Sequence, residues 1–205
     1  MLNFFIMLTE KREKFKKIEE KIGKIFSQFG LTPNQYTLLS LFFATFCFYF
    51  LKNQSLILAL IFFIFATLLD FIDGAVARFS KIETKEGAYL DTICDRYVEG
   101  IIFLGFLFLP LTSFILPAKI WIFLAFFGSF MTTYAKAAAK EKELVKIELK
   151  KGLFGRGERI ILITLAIIFG LSNFSLMIYP IVVLALFSNL TAFQRIYLAL
   201  SPGQS

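Results

Sequence analysis

The chain has 205 residues, of which 58% are apolar, against about 45–50% in a soluble globular protein. Its mean hydropathy is +0.73, and apolar runs recur over nearly the whole length after residue 36, which excludes an ordinary soluble domain and makes lipid the solvent of a multi-span membrane protein. Histidine is absent, which removes imidazole metal sites and His-based acid–base chemistry, and the net charge of +7, from 22 Lys and Arg against 15 Asp and Glu, calls for an anionic surface or substrate.

An apolar stretch from Met1 to Leu8 precedes a charged one from Glu10 to Lys24, the reverse of a secretory signal, so no cleaved leader is expected. From Glu10 the segment EKREKFKKIEEKIGKIFSQF places Phe15, Ile18, Ile22, Ile25 and Phe26 at helical spacing, with Lys and Glu on the remaining face. This predicts an amphipathic juxtamembrane helix within residues 1–30, lying at headgroup level. A solvated helix packing on a partner is the plainer alternative.

Residues 31–205 form the membrane domain. Turn and charge signals at Lys52–Asn53–Gln54, Phe79 to Glu86, Pro110 to Pro117, Glu141 to Gly157 and Leu171–Ser172–Asn173 divide it into six apolar spans. They run Tyr36–Leu51, Ser55–Arg78, Gly87–Leu109, Ala118–Ala139, Glu158–Gly170 and Phe174–Leu200. The first and fifth are short for a bilayer that needs about 20 residues, and must extend or tilt. The expected fold class is all-α, a polytopic protein of six transmembrane helices behind an amphipathic one. With both termini inside, every Lys and Arg except Lys52 and Lys119 falls in inner segments or adjoining span ends, so the positive-inside rule places the termini in the cytoplasm. Topology and anionic lipid then account for the basic balance without nucleic acid. Cys47 and Cys94 form no CxxC pair and read as buried small apolar residues.

A charged group inside a span costs a few kcal/mol unless it is paired, hydrated or metal-bound. Asp70 and Asp73, at i,i+3 near the end of the second span, share one helix face, as do Asp91 and Asp95 at i,i+4 near the start of the third. The connecting turn centres near residue 83, so an antiparallel helix pair sets Asp70 opposite Asp95 in depth and Asp73 roughly opposite Asp91. Four such anions repel one another, and one or two hard divalent cations such as Mg²⁺ resolve the conflict, with Mn²⁺ equally suited to oxygen ligands. Ordinary helix-end charges with Lys or Arg partners are the alternative. Gly74, Ala75, Ala77, Gly87 and Ala88 allow close approach beside the acids. Arg78 and Thr84 offer a cation and a hydroxyl to phosphate oxygens, although an Arg at a helix end also serves as a membrane anchor.

The string Asp70-x2-Asp73-Gly74-x2-Ala77-Arg78-x8-Gly87-x3-Asp91-x3-Asp95 resembles the complete signature of the CDP-alcohol phosphotransferase family, and the six-span layout agrees over nearly the whole chain. The resemblance implies a six-helix membrane bundle, commonly a homodimer, with its active site open to the cytoplasm. It implies a reaction in which an acceptor hydroxyl attacks the lipid-side phosphorus of CDP-diacylglycerol or CDP-archaeol and releases CMP. By motif position, Asp70, Asp73 and Asp91 would hold one metal, and Asp70, Asp91 and Asp95 a second, with Asp95 also the general base. Gly74, Ala77, Arg78 and Thr84 would line the cytidine and diphosphate pocket. Thr32, Pro33 and Asn34 are similar to the family's TPN-like segment, which also approaches the nucleotide; local physics reads Thr32-Pro33 more plainly as a helix start.

Distal cations bear on the acceptor. Lys136 lies near the end of the fourth span, Arg156 and Arg159 open the fifth, and Arg195 lies within the sixth. A lone Arg in an apolar span usually faces a polar cavity, and several cations from separate helices suit a phosphate. Helix-end snorkelling is the alternative for Lys136 and Arg156. The set, with Gln194 beside Arg195, resembles that of prokaryotic phosphatidylinositol phosphate synthases and their archaetidylinositol phosphate counterparts, which implies inositol 1-phosphate as acceptor. Glycerol 3-phosphate is the second acceptor reading, and a divalent-cation transporter the non-enzymatic one.

Overall fold

The computed structural model describes residues 16–145 and 154–201. Phe15 and the other early members of the expected amphipathic helix lie outside the described residues. Helix α1 covers residues 16–27. It is followed by α2 (Pro33–Lys52), α3 (Leu56–Ser80), α4 (Lys85–Phe106), α5 (Ala118–Glu141) and α6 (Arg156–Ser172), then a 3₁₀ turn at Phe174–Met177 and α7 (Ile178–Leu200). Among the described residues there is no strand. Helices α2 to α7 coincide with the apolar segments of the sequence to within a few residues.

Local chemistry sets the helix starts. At α2 the Thr32 amide donates to Gln35 Oε1 at 2.8 Å while the Gln35 amide donates to Thr32 Oγ1 at 3.4 Å, a reciprocal cap with Pro33 in the first turn. Thr84 caps α4 by accepting from the Gly87 amide at 3.0 Å. Glu158 reaches back from the first turn of α6 to accept from the Gly155 amide at 2.9 Å.

Among the described residues, four segments are long and apolar enough to cross a bilayer: α2, α3, α5 and Phe174–Leu200. The third and fifth of the six expected spans do not meet that measure, for different reasons. Helix α4 carries Lys85, Glu86, Asp91, Asp95, Arg96 and Glu99, and α6 is only 17 residues long.

The packing forms two compact units, one of Met1–Thr45 with Ile64–Val98 and one of Phe46–Phe63 with Glu99–Ser205. In the first, Ile22 and Phe26 of α1 pack, with Leu31 and Leu69, on a buried cluster of Tyr36, Ile72 and Val76. The Tyr36 hydroxyl donates to the Phe26 carbonyl at 2.8 Å. Gly23 permits the contact, because a Cβ there would collide with the backbone oxygen of Ala75 and with Phe79. The helix rolls toward Gly23, so Ile18, Ile25 and Phe29 stay exposed beside its lysines. The single apolar face read from the sequence is thus divided, one edge against the protein and the rest facing outward.

In the second unit α5 meets α7 along small and polar residues. Apolar surfaces gain little by meeting in lipid, so close approach and hydrogen bonds decide such contacts. Thr132 Oγ1 donates to the Gly128 carbonyl at 2.6 Å and lies 3.1 Å from that of Ser188, and Asn189 Nδ2 donates to the Leu124 carbonyl at 2.9 Å. A Cβ on Gly128 would stand 2.8 Å from the backbone nitrogen of Asn189. Gly128→Ala is therefore expected to cost about 1–3 kcal/mol, read as a lower Tm in detergent; an unchanged Tm would show that the helices separate there without penalty.

Candidate active site

The hairpin of α3 and α4 brings carboxylates from both helices to one level, as the short turn between them requires. Oxygens of Asp70, Asp91 and Asp95 lie within 4.8 Å of one another. The Asp95 side chain is 11% exposed, and the Arg96 guanidinium is 3.6 Å from it. Asp73 falls outside this trio. The i,i+3 spacing turns it about 60° around the helix from Asp70, and its buried Oδ2 accepts a 2.6 Å hydrogen bond from the Thr37 hydroxyl. Three hard oxygen donors this close together, all anionic when ionised, fit Mg²⁺ or Mn²⁺ better than any softer ion.

Beside the carboxylates lies a cavity of about 240 Å³, formed where the starts of α2 and α4 meet the last turns of α3. Helix α2 and its cap contribute Thr32, Pro33, Asn34 and Thr37, and α3 contributes Asp73, Gly74, Ala77 and Arg78. The turn and α4 add Ile82, Glu83, Thr84, Gly87, Ala88 and Asp91. Thr32, Pro33, Asn34, Gly74, Ala77, Arg78 and Thr84, for which the family resemblance implies a place at the nucleotide, all line this one cavity. Asp91 belongs to both the wall and the carboxylate trio, so the two features adjoin.

The small residues of the motif have specific neighbours. A Cβ on Gly74 would lie 2.8 Å from Arg78 Nη2, so the arginine folds back over bare backbone. A Cβ on Gly87 would lie 3.3 Å from Asn34 Oδ1, which puts the start of α2 against that of α4. Arg78 forms an ion pair with Glu19 of α1. Thr84 both caps α4 and faces the cavity.

The distal cations all belong to the second unit, and three gather along one face of α5. Arg159 Nη1 donates to the Ser129 carbonyl at 2.8 Å and Arg195 Nη1 to that of Thr132 at 2.6 Å. Lys136 follows Thr132 by one turn. Arg159 is 4% exposed and pairs through Nε with Glu99 of α4 at 3.5 Å. Arg156 is half-buried one turn earlier, at the start of α6.

Thr37, Glu99 and Glu19 are among the residues of these arrangements that escaped the sequence reading. Thr37 lies one turn beyond Pro33, and Glu99 sits at i+4 from Asp95 on the same face of α4. Glu19 is one acid among many in the charged amino-terminal run, and only the contact at Gly23 singles it out.

Residues 30–193 match the family model described as CDP-alcohol phosphatidyltransferase. The chain is 32% identical over 191 residues to an archaetidylinositol phosphate synthase of Pyrococcus horikoshii, covering 93% of this chain and 95% of that one. It also resembles crystal structures of the phosphatidylinositol phosphate synthase of Mycobacterium tuberculosis. The complex with manganese and citrate gives a TM-score of 0.75 at 27% identity, covering 91% of each chain. The form with CDP-DAG bound gives 0.76 at 26% identity, covering 92% of this chain and 96% of that one. Together with the helices of bilayer length, these likenesses identify a multi-pass membrane enzyme. The matched stretch runs through the whole carboxylate hairpin and every wall of the cavity, and on that extent the chain belongs to the CDP-alcohol phosphatidyltransferase family.

Proposed function

We propose that the protein is a phospholipid synthase that transfers the phosphatidyl or archaetidyl group of a CDP-activated lipid to a hydroxyl of inositol 1-phosphate and releases CMP. The observation that carries this reading is the position of Asp91, shared between the carboxylate trio and a cavity lined by the motif's small residues and Arg78. The archaetidylinositol phosphate synthase of Pyrococcus horikoshii and the CDP-DAG-bound mycobacterial enzyme support the choice of substrates.

Asp70, Asp73, Asp91 and Asp95 would hold one or two Mg²⁺ or Mn²⁺ ions. Such ions, when bound, offset the diphosphate charge and that of departing CMP. Thr32, Pro33, Asn34, Gly74, Ala77 and Thr84 shape the cytidine slot, and Arg78 binds a diphosphate oxygen. Lys136, Arg156, Arg159 and Arg195 receive the acceptor's phosphate, the arginines with planar forks suited to paired oxygens. The acceptor hydroxyl oxygen bonds to the lipid-side phosphorus as the bond from that phosphorus to the bridging oxygen breaks. CMP leaves with the bridging oxygen, and Asp95 takes the hydroxyl proton. The distribution of Lys and Arg supports six crossings with both termini and the cavity on the cytoplasmic side, and the family resemblance supports a homodimer.

The test is CMP release by purified protein given CDP-diacylglycerol or CDP-archaeol and a panel of acceptors. Inositol 1-phosphate is expected to be the fastest. Chelation with EDTA is expected to slow release by about a hundredfold or more, and Mg²⁺ or Mn²⁺ to restore it. Preference for glycerol 3-phosphate would reassign the acceptor, and metal flux through proteoliposomes without CMP release would return the carboxylates to a transporter.

A further inference from the structure

Arg78 stands at the rim of the cavity with its side chain 50% exposed. A solitary arginine there would sample many rotamers, since its side chain carries large conformational freedom. Two contacts restrict it, and a third seats the helix that carries the first. Glu19, whose side chain is 22% exposed, pairs with its Nη2. Gly74 leaves room beneath the guanidinium that a Cβ would take. Gly23, one turn beyond Glu19, seats α1 directly against Ala75 and Phe79, so the Glu19 carboxylate arrives on a helix docked to α3. The Tyr36 hydroxyl bond to Phe26 fastens the other end of α1. Glu19 itself is not on the cavity wall.

A partly exposed ion pair adds little to folding, so the consequence of this arrangement is geometric. We propose that Glu19 is a positioning residue for the nucleotide-lipid site, holding the Arg78 guanidinium over Gly74 so that an incoming diphosphate oxygen meets an oriented fork. The inference rests on reading the cavity as the CDP-lipid site. A carboxylate engages at most two of the five guanidinium N–H groups, and an arginine ordered beforehand gives up less freedom when phosphate binds. The effect belongs to substrate affinity and leaves the chemical step alone.

CMP release is titrated against CDP-diacylglycerol in mixed micelles of fixed composition, and CDP binding is followed by calorimetry without turnover. Glu19→Gln is expected to raise the KM for CDP-lipid and the Kd for CDP about three- to tenfold, with kcat nearly unchanged. Glu19→Asp should recover part of the loss, and Gly23→Ala, which lifts α1 from α3 with the carboxylate intact, should reproduce it. Arg78→Ala should raise both constants further, and adding Glu19→Gln to it should change nothing more. A variant that merely folds poorly loses active fraction, which lowers kcat and spares KM. If Glu19→Gln leaves both constants unchanged or lowers them, or is additive with Arg78→Ala, Glu19 does not position the arginine and the site reading stands. If Arg78→Ala alters neither constant, the cavity is not the nucleotide site.

Discussion

Asp95→Asn is expected to slow CMP release by about a thousandfold at saturating substrate, within the range that a positioned general base contributes. The substitution keeps the shape of the side chain and one oxygen but cannot accept a proton from an acceptor hydroxyl. At 11% exposure Asp95 has little water beside it to serve in its place. Asp70 and Asp91 remain within reach of one another, so most of the divalent affinity should survive. Rates of CMP release set beside Mn²⁺ titrations of the same variant separate the two roles. Loss of Mn²⁺ binding in step with activity would make Asp95 chiefly a ligand, and a rate within tenfold of the parent would remove it as the base.

Glu99→Gln is expected to destabilise the protein by about 3 kcal/mol, the cost of removing one partner from a buried ion pair. Arg159 is 4% exposed, so its guanidinium stays in the interior whether or not the carboxylate is present. The Ser129 carbonyl still accepts from Nη1, but a carbonyl does not carry the opposing charge. Replacing both residues, as Glu99→Gln with Arg159→Met, should recover part of the loss, since the two charges of the pair are then removed together. Thermal unfolding in one detergent compares the variants. A Glu99→Gln protein as stable as the parent would mean that the α5 carbonyl suffices.

What the sequence made legible is what local geometry determines. Helical periodicity and a short turn fix the meeting of Asp70, Asp91 and Asp95, since neither depends on the rest of the fold. The spans were readable from turn residues and charge, but α4 gives up apolarity to its acids and α6 is short, so equal crossings were not to be had from segmentation alone. Thr37 was hidden because a hydroxyl in an apolar run carries no signal until α2 packs on α3 and brings it to Asp73. Glu99 did carry one, a further carboxylate in step with Asp91 and Asp95. Its partner Arg159 lies far along the chain, and only tertiary packing joins them. The apolar arc of α1 was visible, whereas the way it is shared depended on Gly23 offering the flattest line of approach.

That shared arc bears on where the polypeptide can be cut. Ile22 and Phe26 roof Tyr36, Ile72 and Val76, and the last two of these lie in the same turns of α3 as Asp73, Gly74 and Ala77. Trimming the first 30 residues would strip that roof and release Arg78 from Glu19 in one stroke. Helix α1 is thus part of what supports the cavity wall, and a tag or fusion has to leave it seated.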